Sequence, residues 1–476
     1  MSSVSHSESP SQARQELVSR LSSYLSDLSD DSRQMLVQTI DRARARGEDS
    51  PVHAIIMDAV RDVPQPAGNT ARPLSAERRF FDPVEPFLIG TPIDEKIPGH
   101  VERKSLRSIW IWITRDLAPG RLDGPLASLR ATVADDDHDA IKDAAAEFRK
   151  AFCQAARQSI RECQQQQGSL ARLEAQLGGP NILADMQETV TIFEQDPVIS
   201  AILNKVPDQI VSGEAALNAI MRAMRVYAKA PEANAFLGFS ALLRRFETPS
   251  DVVRLAAQIA QSSDPTRIRK SAMKSAIDAA VAAVRVEADH LVHLLSEDRT
   301  MARISVALRR FDELTAALSR TLDESPNDPW LRELTEIRVD IGDRIGKELE
   351  PLLHMVRSVV GVVEIKGRQI VPDDTSIGDA VFGTSLFVAA REARGSLALN
   401  SAIERLERGL QKILENQGEQ AIDRLANASE TNWDAALARS RAAVFLFKAY
   451  FGGEYGATMA RRQQTLVENR ALPKAG

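Results

Sequence analysis

Glu287 and His290 stand three positions apart on a stretch of helical periodicity, the Glu-x-x-His spacing with which helical bundles hold pairs of metal ions on their inner faces. His293 follows one turn later, and Glu350 with His354 repeats the carboxylate and imidazole pairing on the next long helical stretch. Facing one bundle interior, these five side chains would offer oxygen and nitrogen ligands to iron, manganese or zinc. Helical phase points the other way. At about 100° per residue, His290 and His293 lie roughly 140 to 160° from the stripe Val281, Val284, Ala288, Leu291 and Leu295. His354 is almost opposite Ile341, Ile345, Leu349, Leu352 and Val356. The expectation is solvated histidines, with no metal and no cofactor.

Other catalytic signatures are missing from the sequence. It contains no Gly-x-x-x-x-Gly-Lys-Ser/Thr phosphate loop, no Gly-x-Ser-x-Gly elbow, no Cys-x-x-Cys pair and no His-Glu-x-x-His. Gly90 and Gly99 belong to a proline-rich arm rather than to a strand-to-helix turn. Acyl, phosphoryl and hydride transfer thus have no visible machinery, and the reading leans away from an enzyme. Cys153 and Cys163 lie ten positions apart in one helical segment, about 15 Å along its axis, so they cannot bridge each other. So few thiols, with no signal peptide, lead us to expect a reducing, cytoplasmic setting.

Among 476 residues, 60 Lys and Arg are interleaved with 66 Asp and Glu for a net charge of −6. Nucleic-acid affinity rests on clustered cations against phosphate, so this distribution argues against a DNA or RNA partner. No stretch approaches the roughly 18 apolar residues of a membrane span. The strongest candidate, Pro351 to Val363, is broken by His354 and Arg357.

Two groups of aromatic residues are the candidate interaction sites. Phe80, Phe81 and Phe87 sit in a segment holding seven of the chain's 22 prolines, where a bland linker would carry no such side chains. They predict an arm laid against a helical surface, packed within the chain or gripping a partner. Trp433, Phe445, Phe447, Tyr450, Phe451 and Tyr455 are six of the chain's 23 aromatic residues. From Ala442 to Phe451 only Lys448 is polar, so that helix must be surrounded, by the chain's own core or by another chain or membrane surface. Arg461, Arg462 and Arg470 follow, a weak basic patch for peripheral contact with anionic lipid.

The elements that must position these residues are helices almost throughout. Residues 1–11, with six serines, read as a disordered tail, and 12–63 as a small three-helix module. A proline-rich arm follows over 64–102, then a helical domain over 103–262. Within that domain Gly178-Gly179-Pro180, Asp196-Pro197, Val206-Pro207, Ala230-Pro231 and Thr248-Pro249 mark helix ends. The alternation Ile109-Trp110-Ile111-Trp112-Ile113 is assigned to helix because Leu106, Ile109, Trp110, Ile113 and Leu117 share one face.

From Thr266 to Leu322 nothing breaks the helix outright. Ile277, Val281, Val284, Ala288, Leu291 and Leu295 step by four and three in a heptad seam. The six-residue gap to Met301 places a kink at Ser296-Glu297-Asp298, with Ser296 capping a new start. A further long helix carries Leu331 through Val356, completing a long helical hairpin over 263–358. Residues 359–376 form a loop or short hairpin turning at Lys366-Gly367, 377–453 are C-terminal helices, and 454–476 a polar tail helix. The fold class is all-α, an elongated bundle with long antiparallel helical hairpins.

Long helical surfaces, an aromatic arm and an over-hydrophobic terminal helix lead us to expect a non-enzymatic interaction or scaffold protein that binds other proteins or itself. The alternatives are a helical-bundle enzyme or small-ligand or metal binder, and a peripheral membrane protein.

Overall fold

In a computed structural model the described residues are Leu21, Ile56 and 75–471, less 94, 118–121, 136, 166–168, 208, 211–213, 228–231, 247, 324, 326 and 366–367. Apart from Leu21 and Ile56, the expected tail and three-helix module lie outside them, as does the arm before residue 75. Ala76–Gly476 forms one unit by its internal contacts.

The chain is all-α. A short helix α1 (Ala76–Phe81) runs into a two-turn 3-10 segment at Asp82–Phe87 and a two-residue strand β1 (Leu88–Ile89). After a loop, β2 (Val101–Glu102) pairs with β1 in parallel, Leu88 opposite Val101, which closes residues 90–100 into a strap. Then come α2 (Arg103–Trp112), α3 (Asp123–Asp135), α4 (His138–Gln165), α5 (Ser169–Leu177) and α6 (Pro180–Leu203). Next are α7 (Glu214–Tyr227), α8 (Glu232–Leu243), α9 (Ser250–Ala260), α10 (Pro265–Arg269), α11 (Lys274–His293), α12 (Met301–Thr321), α13 (Pro329–Leu349) and α14 (Leu352–Val360). The strands β3 (Glu364–Ile365) and β4 (Arg368–Gln369) pair antiparallel, and the expected turn at Lys366-Gly367 between them lies outside the described residues. Four helices finish the chain: α15 (Asp374–Glu392), α16 (Asn400–Ile413), α18 (Trp433–Phe451) and α19 (Gly453–Ala471), with the single turn α17 (Glu419–Asp423) between the second and third.

Several ends follow from local chemistry. Gly178 and Gly179 take φ of 105° and 142°, conformations that side chains other than glycine resist, and the chain turns there before Pro180 opens α6. The Asp328 carboxylate accepts from the backbone N–H of Trp330 at 2.9 Å and of Leu331 at 3.3 Å, and Pro329 occupies the first turn, so α13 starts as capping rules require.

Other expected boundaries are corrected. Helix α6 runs straight through Pro197, which sequence punctuation marked as an end. A mid-helix proline costs one hydrogen bond, and burial of Ile192, Phe193, Ile199 and Leu203 around it offsets that loss. The uninterrupted helix from Thr266 is broken at 270–273, because the Ser271 hydroxyl donates to the Ile268 carbonyl and accepts from Met273 N–H, competing with helical bonding. The helix expected from Leu331 to Val356 stops at Leu349 before Pro351. The kink at 296–298 forms as a wide helical turn over Leu294–Asp298 with Arg299 at φ 50°, but Ser296 does not cap. Its hydroxyl donates back to the carbonyls of Val292 and His293, and Thr300 takes the position before the new helix.

The seam on α11 is buried from Ile277 to Leu295, yet it packs into a multi-helix core rather than a two-helix coil. Helices α8, α9, α12 and α13 all contact α11. Phe80 is wholly buried against the rings of Phe81, Trp110, Phe148, Phe152 and Phe193, with centroids 4.8 to 5.5 Å away. The arm aromatics are core, so their assignment as a partner-binding surface is corrected. Five rings from α1, α2, α4 and α6 enclose the side chain, and nothing remains for a partner to grip.

Candidate functional site

The strap between β1 and β2 is fixed by two acids of α6, Asp185 and Glu188. Asp185 on α6, 1% exposed, accepts from Lys96 Nζ at 2.6 Å, from Ser105 Oγ at 2.7 Å and from Glu102 N–H at 3.1 Å. Lys96 also meets Glu188 at 3.1 Å, and Gly99 N–H donates to the Glu188 carboxylate at 2.5 Å. Ile89, Ile93 and Ile97 pack on Ala282 and Val286, a small apolar cluster apart from the main core. These ties hold the strap across the face of α11 opposite its seam.

Under the strap lies a cavity of about 480 Å³. Its apolar wall includes Leu88, Ile93, Leu243, Phe246, Val286 and Leu314. Its polar lining holds Arg244, Arg303 and Arg310, the histidines 100, 290 and 293, and the lone carboxylate Glu287. The expectation that His290 and His293 are solvated is thus corrected: both are half-buried and line this cavity. Periodicity on α11 identifies one buried face and is blind to elements that cover the other, here the strap and α8. His354 and Glu350 are exposed and line no part of it, so the five candidate ligands are not brought together. Among the described residues no group of three or more His, Cys, Asp or Glu is placed to hold a metal ion.

Glu287 is the electrostatic centre. Its Oε1 lies 4.0 Å from Arg310 Nη1 and its Oε2 lies 3.7 Å from His290 Nδ1, both beyond hydrogen bonding, and Oε2 is buried with no hydrogen-bond partner among the described residues. Arg303 is paired with Asp298. Arg244 has no carboxylate within 4 Å among the described residues. The residue is exposed, while the protein around it partly desolvates the guanidinium, the main cause of a pKa below the usual arginine value. Glu287 opposes that shift, and Arg310 and Arg103 add to it. An arginine remains charged regardless.

His100, 5% exposed, sits in the strap's return to β2. Desolvation, and then the nearby Arg244 charge, push its pKa down to about 3, so the ring is neutral at any ordinary pH. Its Nδ1 lies 3.0 Å from the Pro98 carbonyl, which can only accept. The proton is therefore on Nδ1, and Nε2 carries a lone pair. The chemistry on offer is a cationic surface with the His100 ring as a neutral acceptor, beside an apolar wall.

Sequence reading did not single out Arg244, Arg303, Arg310 or His100. Arginines are spread throughout the chain, and no spacing separates these from solvated ones.

At the C-terminus the six aromatics divide. Phe447 and Tyr450 are buried, Trp433 is half-buried under the Arg470 guanidinium at 4.2 Å, and Phe445, Phe451 and Tyr455 are 52%, 38% and 36% exposed. Helix α19 is no free tail. It packs along α18, with Gly456 so close to Lys448 that a Cβ would sit 2.6 Å from that side chain. Of the three arginines expected to form a basic patch, Arg462 pairs with Asp423 and Arg470 donates to the Ala428 carbonyl. No helix among the described residues is long and apolar enough to cross a membrane.

Compared with models of known protein families, with curated proteins and with solved structures, the chain matches none.

Proposed function

We propose that the chain binds a small organic anion in the cavity beneath the strap. The observation that carries this reading is Arg244, an exposed arginine with no carboxylate within 4 Å among the described residues, at a partly open cavity that Arg303 and Arg310 also line. Three guanidinium groups converge there on one carboxylate, and a phosphate or carboxylate head group would meet them through charge-assisted hydrogen bonds. The apolar wall suits the ligand's carbon skeleton. Calorimetric titration of the full chain with inorganic phosphate and n-propyl phosphate tests this. Arg244→Ala is expected to weaken binding about 10- to 100-fold, and raising the salt concentration should weaken it further. Unchanged affinity in that variant, or no binding at millimolar ligand, rejects the reading.

A second reading, self-association through the C-terminal helices, is favoured by the adjacent exposed rings Phe451 and Tyr455, 4.8 Å apart, with Phe445 on the same helix as Phe451. Sedimentation should show a dimer or larger species that the double variant Phe445→Ser, Phe451→Ser converts to monomer. A wild-type monomer at high concentration removes this reading.

A further inference from the structure

The strap's return to β2 carries a buried histidine with no slack beside it. Gly99 takes φ of 74°, and a Cβ there would lie 2.6 Å from Ser240 Oγ and 2.9 Å from the Phe236 ring, so the backbone rests directly on α8. The next residue is His100, buried, with Nδ1 at 3.0 Å from the Pro98 carbonyl and its own carbonyl accepting from Lys96. A second proton on this ring would place an imidazolium among cations. Lys96 of the strap and Arg244, just past α8, are the charges that act on it. Around the cavity α11 supplies His290, His293 and the lone carboxylate Glu287, while α12 supplies Arg303 and Arg310. The other nearby acids are engaged: Asp185 and Glu188 of α6 hold Lys96, Glu102 of β2 accepts from Ile93 N–H, and Arg103 of α2 pairs with Glu85. Among the described residues no carboxylate reaches the His100 ring.

We propose that His100 is the latch of a pH-sensitive strap: the neutral ring lets residues 90–100 lie closed over the cavity, and acid opens them because an imidazolium is not accommodated there. This goes beyond the anion-binding reading and holds whatever the cavity contains. Burial, and then the Arg244 charge, lower the ring's pKa from 6.5 to about 3 in the closed state, so the open strap is the form that takes up the proton. Closure therefore has its full stability above pH 6.5 and loses it as pH falls from there toward 3. The ratio of open to closed strap should rise about 30-fold between pH 8 and pH 5.

Hydrogen exchange of the full chain at pH 8, 6 and 5, corrected for the intrinsic rate at each pH, measures this opening. The N–H groups of Ile93 and Gly99 donate to Glu102 and Glu188 in the closed strap. Protection of residues 90–100 should fall about 30-fold from pH 8 to pH 5, and at pH 5 these amides should exchange ahead of the α11 seam. His100→Asn has no titrating ring and keeps a side-chain N–H for the Pro98 carbonyl, so its strap should lose this fall; His100→Gln is the second probe, and circular dichroism melting reports whether each variant folds. The double variant His290→Gln, His293→Gln should keep the fall. Strap protection that does not change with pH in the wild-type chain overturns the inference. So does a fall that persists in the His100 variants or vanishes in the double variant, since the titrating group then lies elsewhere. Equal protection of strap and seam at pH 5 also overturns it, because the strap then opens only with the whole chain.

Discussion

Phe80→Ala is expected to cost about 3 to 5 kcal/mol of folding stability, the range for emptying a buried aromatic site whose neighbours cannot collapse into it. Phe80 lies in a six-residue helix with little stability of its own, yet its ring touches five others drawn from three further helices and from its own neighbour Phe81. Arg149 donates to the Arg79 carbonyl at 3.0 Å, so the backbone is tied down on the same side. The surrounding rings belong to separate elements, and no single one can move into the void without leaving its own partners. Urea unfolding followed by circular dichroism measures the loss. Phe445→Ala, at an exposed ring, should stay within about 0.5 kcal/mol. A Phe80 loss below about 1 kcal/mol would show that the arm is detachable, as a docking segment is.

Asp185→Ala should cost about 2 to 4 kcal/mol, because it leaves the Ser105 hydroxyl and the Glu102 N–H without their acceptor at a buried position and Lys96 with only Glu188 and the His100 carbonyl. The carboxylate receives Lys96, Ser105 and the Glu102 backbone, and these three come from the strap, α2 and β2. This acid, with Glu188 one turn on, closes the β1–β2 loop onto α6. The functional consequence is distinct from the thermodynamic one: with the strap released, one wall of the cavity opens and anion affinity should fall along with stability. Ser105→Ala removes one neutral donor and should cost only about 1 kcal/mol. Hydrogen exchange at residues 90–100 supplies the second readout. If Asp185→Ala raises exchange no more there than elsewhere, the carboxylate is not what holds the strap.

Legibility in the sequence followed the range of the interaction involved. The buried stripes of α11 and α13, the helical rather than extended course of the Ile109–Ile113 run and the short pairing of β3 with β4 were readable because each depends on residues within a few positions of one another. Where a boundary depended on a trade between local loss and distant burial, reading failed. Pro197 stays helical because Ile192, Phe193, Ile199 and Leu203 are buried by other elements, and no local rule weighs that gain.

The candidate site shows the same division more sharply. Side-chain type and spacing alone established an all-α chain, a hydrophobic face on the long helices, and Glu287, His290 and His293 as chemically capable groups, the two histidines on the face opposite the α11 seam. Only the tertiary structure decided that this face is roofed by a strap anchored 89 residues away in sequence, at the Lys96 contact with Asp185. It also decided that the partners of these groups are Arg244, Arg310 and His100 rather than Glu350 and His354. The physical reason is that periodicity encodes how one helix divides water from core along its own surface, whereas a cavity is made where surfaces of several elements fail to close. Its lining is a property of their arrangement and is written in no single stretch of chain.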